Sequence, residues 1–487
     1  MKKIYLYITI CLLGLSSCSD WLDVSASDQI KESQLFEKGE GFRNALIGIY
    51  QELSTPELYG KQLSWGMIDA MSQQYDPSKL DLSAEFVFTH MMKSEYHTTY
   101  VQDAIKKVWQ SMYQAIANCN NLIQNIEKTK PSLFEYKEEE RDMITAEAYA
   151  LRGFLHFDLL RMFAPAPATK PSGTYIPYRN VYPSTISQRL SVDETLNRII
   201  ADLEKAKQLS YRDTIPENIG ALQSVGSRVG IANYFSSRGI FWSYRCTRMN
   251  FLNISAILAR VYAYADKWEE AYREADYVMN FKGLNFPSKY GGYKGNPRSK
   301  DDILLAFFNV KATEYFGEYA GGDCGYWYLS NINELYQNET SDKRKSELIS
   351  TINNLYISQR SIKNSDRAIE RENGPLLPVL RKAEMIHIVC EYLVKKNRLD
   401  DAITTLQKLR NDRGLSSSNL NEIIKIENKV EKEKAFLQKL RLDVHKEYIG
   451  EGQIFFMYKR LNLPIWNGNN GTVTPEWVLP IPTEEQV

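Results

Sequence analysis

The sequence predicts a mainly α protein built from paired helices and interrupted by loop-rich insertions. Three observations carry that reading. Apolar residues recur at three- and four-residue spacing over long stretches. Two distant helix–turn–helix segments look like each other. The interval between them is rich in Gly and Tyr and breaks the helical period.

Residues 42–53 place Phe42, Ala45, Leu46, Ile49 and Leu53 on one helical face. Residues 101–126 do the same with Val108, Trp109, Met112, Ala115, Ile116, Cys119, Leu122, Ile123 and Ile126. The stretch 145–163 organises the chain. With Ile144, the residues Ala148, Leu151, Leu155, Leu159 and Met162 form one apolar face, and Ala146, Tyr149, Gly153, Phe157 and Leu160 form a second. A helix apolar on two sides belongs between neighbours. Glu138, Glu139 and Glu140 precede it and Arg161 lies near its end, the signs a helix dipole favours. Pro165 lacks an N–H and drives Ala164 out of the α region, so the helix stops there. A Pro/Ser/Tyr-rich stretch, 164–190, follows. Ser191 and Glu194 then form a capping box that opens a helix over 192–209, a candidate partner for the central one.

Residues 261–279 and 392–410 align on Ala271 and Ala402. Each runs Asp or Asn, Lys or Arg, Trp or Leu, two acids and then Ala. This is a helix, a tight turn and a helix whose first turn carries carboxylates. The small Ala lets the paired helix approach, and such a unit resembles a tetratricopeptide repeat. These pairs occupy 250–281 and 381–412. Between them, 282–380 holds Gly291-Gly292, Gly321-Gly322 and Asn373-Gly374-Pro375. There, 303–310 is an apolar run that fits a strand or a buried helical turn. Residues 313–329, with Tyr315, Phe316, Tyr319, Tyr326, Trp327 and Tyr328, read as a glycine-broken loop surface. A basic helix over 432–448 comes last, before a Pro-rich tail.

The N-terminus addresses location. Lys2-Lys3, an apolar run over 4–15 and Ser16-Ser17-Cys18 form a signal peptide, 1–17, of the bacterial lipoprotein kind. Cys18 is then the acylated first mature residue, and two or more acyl chains anchor a domain firmly. No later run of 18 apolar residues occurs, so the expected membrane contact is the lipid alone. Lys+Arg and Asp+Glu both number 60, which gives no electrostatic case for nucleic acid. Cys119, Cys246, Cys324 and Cys390 are far apart with no CxxC pair, so no zinc site is expected, and a disulfide is permitted but not indicated. P-loop, HExxH, GxSxG and dinucleotide signatures are missing, so no enzyme activity, catalytic residue, metal or cofactor is expected. His156 and His387 sit on apolar helices, where a satisfied structural role is expected.

Taken together the segments resemble the SusD/RagB family of Bacteroidetes surface lipoproteins. The carriers are Cys18-Ser-Asp-Trp-Leu-Asp23, Ala45-Leu-Ile-Gly-Ile-Tyr50, Trp109 with Tyr113, Ile116 and Asn120, and Ala146-Glu-Ala through Leu151-Arg152, Phe157-Asp158-Leu159 and Arg161. Asp342-Lys-Arg344, Glu451-Gly452, Lys459-Arg460 and Leu479-Pro-Ile-Pro482 continue the series. Gln453-Ile-Phe-Phe-Met-Tyr departs from the family pattern after Glu451-Gly452. The resemblance implies a SusD-like α/α superhelix, with an N-terminal region over 18–215 and a C-terminal region over 250–487. It implies an outer-membrane, cell-surface lid that passes an oligosaccharide to a SusC-type TonB-dependent barrel. A peptide-capturing lid of the same type and a helical-repeat scaffold without a small ligand are the alternatives.

The expected ligand surface is Trp327 and Tyr328, supported by Tyr326 or Tyr315, with Asp323 and Asn331 as polar neighbours. A flat ring covers the C–H face of a sugar while a polar group bonds its hydroxyls. The N-terminal loops around Trp65 and Tyr75 are the next place to look.

Overall fold

The structure is a computed structural model that describes residues 32–80, 87–213, 215, 239–242, 244–284, 298, 302–320, 327–416, 418–468 and 471–485. Cys18, Asp323, Cys324 and Tyr326 lie outside the described residues. The principal helices in chain order are α1 (Gly39–Leu53), α2 (Thr99–Ile126), α3 (Lys137–Phe163), α4 (Val192–Leu209), α5 (Phe251–Tyr264) and α6 (Trp268–Met279). In the insertion, β1 (Ile303–Phe308) pairs with β5 (Leu376–Arg381) antiparallel. There, β2 (Tyr328–Leu329), β3 (Ile349–Ile352) and β4 (Leu355–Ser358) form a small antiparallel sheet with β4 central. The chain closes with α7 (Lys382–Lys395), α8 (Leu399–Asp412), α9 (Lys429–Glu447) and α10 (Ile454–Leu461).

The central helix is what its two apolar faces require. It packs on α4, α2 and α1, and from Met143 to Phe163 only Tyr149 is not buried. Each fully buried Leu or Phe contributes roughly 1.5–3 kcal/mol. It starts at Lys137, so the three glutamates lie in its first turn and not before it. Ala164 is extended, as the following proline demands. The capping box of α4 forms in both directions, Glu194 N–H to Ser191 Oγ and Ser191 N–H to Glu194 Oε2, each at 3.2 Å. Gly153 lets α3 and α4 touch: a Cβ there would meet Leu203 Cγ at 3.1 Å and Ile199 O at 3.3 Å. Polar residues also fill this helix, and periodicity gave no sign of their burial. Arg152 grips Asp202 of α4 with two bonds of 2.7 Å and reaches Asn120 of α2. Glu147 holds Tyr50 and Arg248.

The two look-alike segments are helix pairs, α5–α6 and α7–α8, and α6 packs on α7. Ala271 and Ala402 are fully buried at the contacts. The 303–310 run resolves as a strand. The stretch 313–329 differs from the loop read in sequence: residues Ala312–Ala320 are helical, and its last two residues form β2. No helix among the described residues is long and apolar enough to cross a membrane. Cys119 and Cys390 are buried thiols.

Candidate ligand-binding face

The N-terminal loops and the insertion meet in one aromatic cluster. Trp65 stands edge-on to Phe316 at 4.9 Å and to Trp327 at 5.2 Å. Tyr75 and Phe88 close on Trp327 at 4.8 and 4.6 Å. Such edge-to-face pairs are worth about 0.5–1.5 kcal/mol each beyond the area they bury. The backbone seals the joint: Asp76 N–H donates to Tyr328 O and Ser330 N–H to Gln74 O, both at 2.8 Å. Tyr75 Oη donates to Trp65 O at 2.6 Å. Burial pushes the Tyr75 phenol well above its ordinary range, so it stays protonated and able to donate.

This placement corrects the expectation of open rings at Trp327 and Tyr328. They are 4% and 6% exposed, and Trp327 is a strut of the cluster. Glycines nearby signalled a loop, but partners more than 200 residues away in sequence take the indole inside. Tyr315 is half-buried, its hydroxyl 3.4 Å from Asn309 Nδ2. Asn331 sits at the left-handed start of a short helix and donates to Asn467 Oδ1 at 3.1 Å. The first-choice and second-choice surfaces of the sequence reading are therefore one structural unit.

Beneath the insertion runs a buried network of charges that fastens it to the last helices. Arg344 pairs with Asp342 at 2.7 Å and with Asp443 and Glu447 at 3.0 Å. Arg381 of β5 reaches Asp302, Glu447 and Glu451. From α8, Arg413 holds Glu447 and Asp302, and Arg410 holds Glu339 and Asp443. Burial alone would raise the pKa values of Asp443 and Glu447, but facing guanidinium groups outweigh it and hold both below the usual carboxylate range. Glu339 is likewise lowered: Lys446, Arg410 and Lys439 overcome its desolvation. Asp342, Arg344 and Glu451, which carry the family resemblance, are thus structural anchors.

Gly452 joins the two ends of the chain. Its φ is +67°, and a Cβ would lie 2.3 Å from Leu63 O. Its N–H donates to Asp69 Oδ1 at 2.9 Å. Burial holds the Asp69 carboxyl well above its ordinary value despite that bond. His156 is satisfied at both nitrogens, toward Arg152 O and from Arg179 N–H, and burial pushes it down to about 3. It is the structural histidine expected, whereas His387, read the same way, is buried with neither ring nitrogen hydrogen-bonded among the described residues. Among the described residues no group of three or more His, Cys, Asp or Glu is placed to hold a metal.

Comparison with known proteins agrees with the architecture. Residues 20–218 match a SusD-like family model described as "Starch-binding associating with outer membrane". A SusD-like protein of Formosa agariphila is 27% identical over 206 residues, 41% of this chain and 36% of that protein. A second from the same organism is 24% identical over 213 residues, 43% of this chain and 38% of that protein. The alignments thus span little more than a third of these curated relatives. Solved structures match far more of the chain. A SusD superfamily protein from Bacteroides thetaiotaomicron superposes with a TM-score of 0.66 at 19% identity, covering 92% of this chain and 97% of that one. A SusD-like carbohydrate-binding protein from Bacteroides vulgatus gives 0.63 at 20%, covering 88% and 84%. At such identities the structures speak to the fold, which is the helical superhelix of paired helices described above. The chain is thus similar to SusD-like proteins, in sequence over its N-terminal part and in fold nearly throughout.

Proposed function

We propose that the chain is a cell-surface lipoprotein, anchored through Cys18, that captures an extracellular oligosaccharide and hands it to a SusC-type TonB-dependent barrel. It acts by binding, without turnover. The observation that carries the reading is the aromatic joint between the N-terminal loops and the insertion. Edge-on rings tie the N-terminal loops to the insertion, and a preorganised surface loses less entropy on binding. Tyr315 supplies the half-open ring on this face, with Asn309 as its polar neighbour. Tyr326 is proposed to join it. Trp327 and Tyr328 support the face from below. The family model's description and the carbohydrate-binding relative favour a glycan over a peptide.

The test is affinity electrophoresis of residues 19–487 through gels containing soluble starch or other soluble glycans. One glycan retards the wild-type chain, and Tyr315→Ala weakens the retardation about fivefold or more. Tyr211→Ala, an exposed ring on the helical scaffold, leaves it unchanged. A chain that no glycan retards, but that a peptide mixture does, overturns the glycan reading.

A further inference from the structure

A partly open cavity of about 70 Å³ lies among α3, α5, α7, α9 and α10 of the helical scaffold. None of its lining residues belongs to the aromatic joint. One water needs roughly 10–15 Å³ of such space, so the cavity has room for about five to seven.

Four side chains that line it are nearly sealed from solvent. Arg260, Tyr264, His387 and Tyr448 are 5%, 4%, 3% and 2% exposed. Arg260 Nη1, both phenol oxygens and both imidazole nitrogens find no hydrogen-bond partner among the described residues. His387 Nε2 comes only within 3.9 Å of Asp443 Oδ1, too far for a bond. Buried polar atoms are nearly always satisfied, so several around one cavity mark the place where a partner sits.

The other lining groups define that partner. Each carboxylate is already paired with a guanidinium. Glu384 takes Arg260 Nε and Nη2 at 2.7 and 2.6 Å, and Glu391 takes Arg460 Nη1 and Nη2 at 2.9 and 2.6 Å. Arg161 is neutralised by Asp158. The charges are balanced, so an ionic guest would bring a net charge that nothing buried there compensates. The open valences are the two N–H donors of Arg260 Nη1, two hydroxyls that donate or accept, and an imidazole that does both. Phe157, Phe456, Met457 and Ile388 supply apolar walls. Apolar walls with a few converging polar groups are the mark of a small-molecule site.

We propose that this cavity binds one small neutral polyhydroxylated molecule of about six heavy atoms, apart from the glycan face. The guest accepts from Arg260 and exchanges hydrogen bonds with Tyr264, Tyr448 and His387, while its carbon backbone lies on the apolar walls.

The probes are glycerol and erythritol, with acetate as the anionic comparison, titrated calorimetrically into residues 19–487. Saturable binding of a polyol is expected. Tyr264→Phe and Tyr448→Phe, which keep the rings, each weaken it about three- to tenfold, the worth of one hydrogen bond. Glycan retardation in gels is unchanged in both. Crystals soaked in glycerol show it in contact with Tyr264 Oη and Arg260 Nη1. Water alone in the cavity, acetate bound more tightly than either polyol, occupancy at soaking concentration without saturable binding in solution, or Phe variants that bind like wild type would each overturn the assignment.

Discussion

Glu447→Gln probes the joint between insertion and scaffold most directly. The Glu447 carboxylate is fully buried and faces three guanidinium groups: Arg413 Nε at 2.5 Å, Arg381 Nη1 at 2.9 Å and Arg344 Nη1 at 3.0 Å. Glutamine keeps the shape but removes the charge, and turns an N–H toward one of those donors. Breaking a buried ion pair from one side costs about 3–5 kcal/mol, because the opposite charge stays buried and uncompensated. Here three cations lose a shared anion, while Asp443, Asp342 and Asp302 remain to hold them, so the middle of that range, about 4 kcal/mol, is expected. Urea unfolding of residues 19–487 at pH 7 measures it, by tryptophan fluorescence and far-ultraviolet circular dichroism together. Coincident transitions are needed for one free energy to be meaningful. A second variant, Glu447→Met with Arg413→Met, removes one anion and one cation together. It should be less destabilised than the sum of its single changes. A loss below about 1 kcal/mol for Glu447→Gln, or strict additivity in the double variant, would refute the claim that these charges act as one network.

Three further outcomes follow from the geometry. Trp327→Ala should cost about 3–5 kcal/mol through the cavity it leaves, and should raise amide exchange in β2 and in residues 73–76 together; exchange confined to β2 would show that the joint is not cooperative. Gly452→Ala should lower the melting temperature sharply, since the new Cβ meets Leu63 O at 2.3 Å and the backbone φ is positive; an unchanged melting curve would mean that the turn relaxes freely. His156 and His445 are both pushed down to about 3 by burial, while the unfolded chain titrates near 6.5. Their folded pKa values are depressed, so stability is full above about pH 6.5 and falls as pH drops toward 3, by roughly 1.4 kcal/mol per pH unit for each histidine. His156→Gln should flatten that slope between pH 6 and 4.5, before the depressed carboxylates add their own loss, and an unaltered slope would show that His156 is accessible to protons.

The helices were legible because burial on one or two faces writes itself into sequence at a fixed period. The α4 boundary was legible to the residue, because Ser191 and Glu194 must sit three apart to cap each other. Trp327 was not. Its glycine-rich surroundings carry the local signature of a loop, and the rings that enclose it come from residues 65–88. The charged network escaped notice for a related reason. Asp302, Arg344, Arg381 and Glu447 each look like ordinary surface charges within their own segments. Only the folded chain brings them within bonding distance, and no periodicity records a partner on another element. The cavity is likewise assembled from five helices that the sequence presents one at a time.

The contact between Gly452 and Asp69 sets an order of events. Residues separated by most of the chain meet there, and Leu479 N–H likewise reaches back to Met162 O. Contacts so remote in sequence form late and slowly, because the intervening chain must first be closed into a loop. A growing polypeptide can therefore shape its helix pairs one after another while its outer face stays unmade. The tie between Gly452 and Asp69 closes only after most of the chain has been made, so a chain cut short before Gly452 lacks it while its earlier helix pairs can still form.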